Sequence, residues 1–201
     1  MATEPSTSGK RESGDDRRVA IALAARQIII EKGLEGLRTR DIAARVGINI
    51  ATLHYHVPSK EALIALVADS LRQDFRAQAL RHPRAGKNAL ERLRLEFDDF
   101  REAVVEMPEL IVVLTELIAR ARRDKVVAEI MIPMREFWRN QVADIFRLGV
   151  TDGSFRPDID AEAAALITTG AMSDCWRRTD LSLSQLEQVL TELEHAFIRR
   201  S

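Results

Sequence analysis

The chain has 201 residues, 46% hydrophobic, 30% charged and 5% aromatic, with a formal net charge of −1. That length allows one large or two small domains with a hydrophobic core, and a composition poor in aromatics and rich in charge suits helical proteins. The lone cysteine, Cys175, excludes a structural intrachain disulfide, and four scattered histidines supply no recognisable metal-ligand spacing, so no cofactor or metal is expected. The first sixteen residues lack an apolar centre and no apolar run approaches spanning length. A cytoplasmic protein without a membrane partner is expected.

Residues 1–14 hold Ser, Thr, Gly and charge without periodicity and are expected to form a disordered arm. Lys10, Arg11, Arg17 and Arg18 give that arm and the first helix a basic character. An Ala- and Ile-rich helix is predicted from about Asp16 to Lys32, stopping at Gly33. The stretch Thr39 to Lys60, TRDIAARVGINIATLHYHVPSK, then has the spacing of a helix-turn-helix. Thr39 can N-cap its first helix, with Ile42, Ala43 and Val46 on the buried side, and Gly47 ends it. Asn49 can N-cap a short second helix that turns Leu53 inward and leaves Thr52, His54, Tyr55 and His56 to hydrogen-bond phosphates or base edges and Ile50 to meet a thymine methyl. Pro58 and Ser59 break and recap the chain, so Lys60 opens a third helix at a phosphate-attracting end. Charge agrees with this placement. Residues 1–60 carry ten Lys and Arg against seven Asp and Glu, whereas residues 61–201 carry twenty against twenty-four.

A linking helix is predicted from Ser59 to about Leu80, with Leu63, Val67, Leu71 and Phe75 on one face. After a loop at His82, Pro83, Gly86 and Lys87, Asn88 and Glu91 can cap a helix striped by Leu90, Leu93, Phe97, Phe100, Val104 and Met107. Pro108 opens another, Leu110 to about Arg122. A long helix from about Lys125 to Leu148 either kinks at Pro133 or starts near it, and Gly149, Asp152, Gly153 and Pro157 mark the next break. Helices from about Ala161 to Arg178 and Ser184 to Arg199 complete the chain, the last capped by Ser182 with Gln185 or Ser184 with Glu187. The whole is an all-α fold of about nine helices, divided as residues 1–14, 15–60 and 61–201.

The motif, together with the upstream EKGLEGLRTRDIA, resembles the N-terminal domain of the tetracycline-repressor (TetR) family. Two positions depart from the common pattern: Ala51 stands where members commonly carry Gly, and His54 where they carry Tyr. The resemblance implies a three-helix DNA-binding domain, with Thr39, Arg40, Ile50, Ala51, Thr52, His54, Tyr55, His56 and Lys60 matching operator-contacting positions and Asn49 capping the helix that carries most of them. It also implies a C-terminal helical domain that binds an effector and dimerises through the last two helices.

Those helices repeat small residues at Ala164, Thr168, Ala171 and Cys175 and larger ones at Leu186, Leu190, Leu193 and Phe197, a spacing that fits either a four-helix homodimer interface or packing within one chain. Twofold symmetry would place two reading helices in successive major grooves of a palindromic duplex operator, roughly 34–36 Å apart. Phe97, Phe100, Met107, Leu114, Met131, Met134, Phe137, Trp138, Met172 and Trp176 form a pool from which an effector pocket or simply a core is built. The expected function is a non-enzymatic DNA-binding regulator, a repressor released by a small molecule. The alternatives are a ligand-independent DNA-binding protein and a helical protein-protein adaptor.

Overall fold

A computed structural model of the chain describes residues 14–178 and 180–199. The expected arm lies outside the described residues except for Gly14, which already opens α1 (Gly14–Lys32). Among the described residues there are nine helices, a 3-10 turn at Leu34–Gly36 and a single isolated bridge between Phe155 and Ile198. No described helix is long and apolar enough to cross a membrane. Packing divides the chain into two compact units meeting at Ser70 and Leu71, a point inside α4 (Lys60–Arg81) rather than at its start.

In the first unit α1 buries Ile21, Ala25, Ile28 and Ile29, and α2 (Thr39–Val46) covers them with Ile42 and Ala43. Thr39 was expected to cap α2, but Arg38 holds that position and no side chain caps the helix. The buried Leu37 fixes the approaching chain in extended backbone, and the Arg38 guanidinium is turned back onto the Glu35 carbonyl at 2.7 Å. Gly47 ends α2 at φ +73°, where a side chain would be strained. Asn49 caps α3 (Ile50–His56), its side chain accepting from the Thr52 amide at 2.7 Å. Ser59 recaps α4 by accepting from the Ala62 amide at 3.2 Å.

The second unit is built on α5 (Ala89–Glu106), α6 (Pro108–Ala121), α7 (Lys125–Asp152), α8 (Ala161–Arg177) and α9 (Leu183–Phe197). Asn88 and Glu91 form the capping box of α5, and Ser182 with Gln185 that of α9. Leu93, Phe97 and Phe100 of α5 meet Val142, Ile145 and Phe146 of α7 and Ala164, Ala165 and Met172 of α8 in one core. Pro133 lies inside α7, which runs on past it from its Asp124 cap. The break expected at Gly149 falls later. Gly149 stays helical and buried because Phe155 folds back over it, so that a Cβ there would sit 1.9 Å from the Phe155 ring. The turn forms at Gly153, φ +78°, and Asp152 accepts from both the Ser154 and Ala89 amides, tying the end of α7 to the start of α5.

The two stripes expected at a dimer interface lie inward within a single chain. Ala164, Thr168 and Cys175 are buried and Ala171 half-buried within a single chain, and Leu186, Leu190, Leu193 and Phe197 are buried in the same core. Their small and large stripes serve packing of α8 on α7 and of α9 on the bundle. The side of α8 turned to solvent instead carries Leu166 and Ile167, 59% and 58% exposed, with Gly170.

Candidate DNA-reading surface and effector core

The candidate surface starts from a helix that has little to bury. Of the seven residues of α3, Leu53 alone is fully enclosed, and Val57 follows it into the core. The other residues of α3 are exposed or half-buried. Tyr55 is 84% exposed and Ile50 49%, Ala51 and His54 are exposed, and Thr52 and His56 are half-buried. The Tyr55 ring stands edge-on to His56 with centroids 5.2 Å apart. Arg40, the second residue of α2, leaves 80% of its side chain exposed, and Lys60 is exposed at the first turn of α4. Thr39 is half-buried beside Arg40, and Asn49 is exposed where it caps α3. All the predicted DNA-facing residues thus lie in the first unit, on α2, α3 and the start of α4.

Charge in this unit divides into two groups. Arg45 makes a two-pronged pair with Glu31 at 2.9 and 2.8 Å, and Lys32 donates to Asp41 at 3.1 Å, so these four fasten α2 to α1. The Arg45 hydrogen bond holds the Glu31 carboxyl below the usual range, as Lys32 does for Asp41. Arg40, whose Nε lies 3.5 Å from Asp41, and Lys60 remain well exposed. One contact was invisible in the sequence: Arg18 of α1 donates to the carbonyl of His56, the last residue of α3, at 3.0 Å across 38 positions.

In the second unit the predicted effector residues separate. Phe97, Phe100 and Met172 are core, and Trp138 and Trp176 pack against it. Trp138 stacks on Trp176 with centroids 5.5 Å apart, and Phe100 lies 5.7 Å from Trp176. Leu114 is buried on α6, Met107 is half-buried between α5 and α6, and Met134 is half-buried on α7. Phe137 does not join the cluster. It is 65% exposed, because Trp138 takes the inward position one residue on. The Trp138 indole donates to Glu96 at 2.7 Å, and Arg84 donates to the same carboxylate at 3.0 Å. Burial pushes the Glu96 carboxyl up, against the pull of those two donors. Thr168 holds a buried hydroxyl with no hydrogen-bond partner, on the α8 face that carries Met172. An open groove of about 480 Å³ lies elsewhere, between Arg178, Leu181 and the α9 residues Gln185, Gln188 and Glu192.

His82, Asp99 and Glu102 bring three metal-type donor atoms within 4.8 Å, a gathering that sequence spacing did not show. Arg84 already donates to Asp99 at 2.7 Å, Arg81 pairs with Glu102, and His82 Nδ1 lies 2.6 Å from Asp99. With Gln78 donating to the Asp99 carbonyl at 2.6 Å, this cluster clasps the C-terminal end of α4 to α5.

A two-helix reading motif braced by α1, followed by an all-helical unit, is the architecture of a DNA-binding transcriptional regulator. Residues 21–67 match the family described as bacterial regulatory proteins, tetR family, so the chain carries a TetR-type N-terminal domain. It is 29% identical over 162 residues to the HTH-type transcriptional repressor KstR2 of Rhodococcus jostii, covering 79% of this chain and 75% of that one. The fold is shared with a transcriptional regulator from Saccharomonospora viridis solved in complex with choline, at TM-score 0.79, 21% identity and coverage of 92% of this chain and 100% of the other. It is shared too with the ketosteroid transcriptional regulator KstR2 of Mycobacterium tuberculosis, at TM-score 0.65, 23% identity and coverage of 96% and 98%.

Proposed function

We propose that the chain is a homodimeric repressor that reads a palindromic operator and is released from it by a small molecule. The observation that carries this is the outward set on α2 to α4, above all Tyr55 at 84% exposure on a helix that buries a single residue. Such a surface has no packing role and matches the demands of groove reading. We assign it no enzymatic activity.

Dimerisation falls to the solvent side of α8, where Leu166, Ile167 and Gly170 lie together: two large apolar side chains beside a glycine let a second helix approach closely. The effector enters the second unit by repacking around the Trp138, Trp176 and Phe100 rings, next to Glu96 and on the core that includes Met172. Support comes from two similar proteins, one solved with choline and one a ketosteroid transcriptional regulator. The clasp at Gln78, Arg81 and His82 couples that core to α4, a helix continuous with the first unit. An effector with 1–3 kcal/mol of preference for the non-binding state changes operator affinity roughly 5- to 150-fold.

Selection from a randomised duplex pool with the full chain tests the proposal. An enriched sequence with twofold symmetry, whose complex a compound from a metabolite panel dissociates, supports it. Enrichment of no sequence contradicts it.

A further inference from the structure

A seven-residue helix is too short to hold itself, and α3 has only Leu53 and the following Val57 to seat it. Its direction is therefore set by what grips its ends. At the start, Asn49 accepts from the Thr52 amide. At the other end the Val57 amide returns to the Leu53 carbonyl, which leaves the carbonyls of the last turn to be met from outside the helix. Arg18 meets the last of them, donating Nη1 to His56 O at 3.0 Å. A cation there also opposes the negative end of the helix dipole. Arg18 stands near the N-terminal end of α1, while Glu31 and Lys32 at its C-terminal end hold α2 through Arg45 and Asp41. One helix thus carries both halves of the reading motif.

We propose that Arg18 is a positioning residue for sequence-selective DNA binding, acting through the angle of α3 and not through a phosphate. This rests on the DNA-reading assignment. A helix of seven residues is about 10 Å long, so a tilt of about 10° pivoting at its start moves its far end by roughly 2 Å. Tyr55 and His56 are at that far end. Such a displacement spoils hydrogen bonds to base edges, whose donor and acceptor must meet at about 3 Å, whereas a backbone contact made by a mobile exposed side chain tolerates it.

The test uses the full chain as wild type, Arg18→Ala and Arg18→Lys, titrated in fluorescence anisotropy against the duplex the wild type enriches from a random pool and against its scrambled counterpart, over a series of salt concentrations. Arg18→Ala should weaken the enriched duplex by roughly three- to tenfold, the range one hydrogen bond supplies, and leave the scrambled duplex unchanged. Its plot of log affinity against log salt should run parallel to the wild type, and Arg18→Lys, which keeps a donor, should recover part of the loss. Equal weakening of both duplexes with a slope shallower by about 0.9 would show a phosphate contact and overturn the proposal. Unchanged affinity of Arg18→Ala for the enriched duplex overturns it as well. A wild type that enriches no duplex removes the DNA-reading assignment itself, and this role with it.

Discussion

Tyr55 has almost no role in holding the protein together, so its effect on DNA separates cleanly from its effect on folding. Tyr55→Ala should leave the melting temperature unchanged and weaken operator binding at least about fivefold; an unchanged titration would remove it from the reading surface. The outward placement of the α3 residues was legible in the sequence because helix-turn-helix logic is local: Gly47, Asn49 and Leu53 fix which neighbours point outward within a dozen positions. Arg18 was legible only as a basic residue within reach of a DNA backbone or of solvent. Its partner lies 38 positions away and is a backbone carbonyl, which carries no mark in a sequence. The misplaced cap at Thr39 has a related cause. Thr is a good cap by type, but burial of Leu37 set the backbone one residue earlier, and tertiary packing decided the position.

At the scale of elements, the helices emerged from caps and apolar spacing, and the errors fell where a distant side chain intervened. Gly149 reads as a breaker, yet the Phe155 ring closes directly over it. Gly149→Ala should therefore destabilise the second unit by about 1–3 kcal/mol in urea unfolding, since the ring must move to admit a methyl group. An unchanged midpoint would mean the ring relocates freely. α9 is held to α5 by Arg94 with Glu194, at 2.9 and 2.6 Å, and by Arg101 with Glu187. Each guanidinium hydrogen bond holds its carboxyl below the ordinary glutamate value of 4.5. A carboxyl more acidic in the folded state stabilises it above pH 4.5 and loses that contribution as the pH falls through the folded value. Acid unfolding of Glu194→Gln should thus show a smaller loss of stability below pH 4.5 than the wild type. Parallel acid profiles would show that the pair contributes nothing.

For the whole molecule, periodicity marked α8 and α9 as the helices that pack closely but not what they pack against. The same four-three-four spacing serves an interchain bundle and an intrachain core, and only burial tells them apart. Leu190 is 3% exposed in a single chain, so Leu190→Glu should unfold the second unit, while Ile167→Glu, at a site 58% exposed, should keep the fold and convert dimer to monomer. Light scattering with circular dichroism distinguishes these, and an intact dimer in folded Ile167→Glu would move the interface elsewhere. The same limit applies to the aromatic core of the second unit. Trp138 and Phe137 are adjacent and equally apolar in the sequence, and helical phase put one at the Glu96 hydrogen bond and the other in solvent.

Whether two copies of α3 read one twofold-symmetric duplex is decided by titrating the full chain against its enriched duplex and against single half-sites of it, following anisotropy and mass together. Two chains on the intact duplex, affinity falling steeply with salt, and a half-site bound far more weakly are the predicted results. One chain per duplex, or equal affinity for a half-site and for the intact duplex, would contradict it.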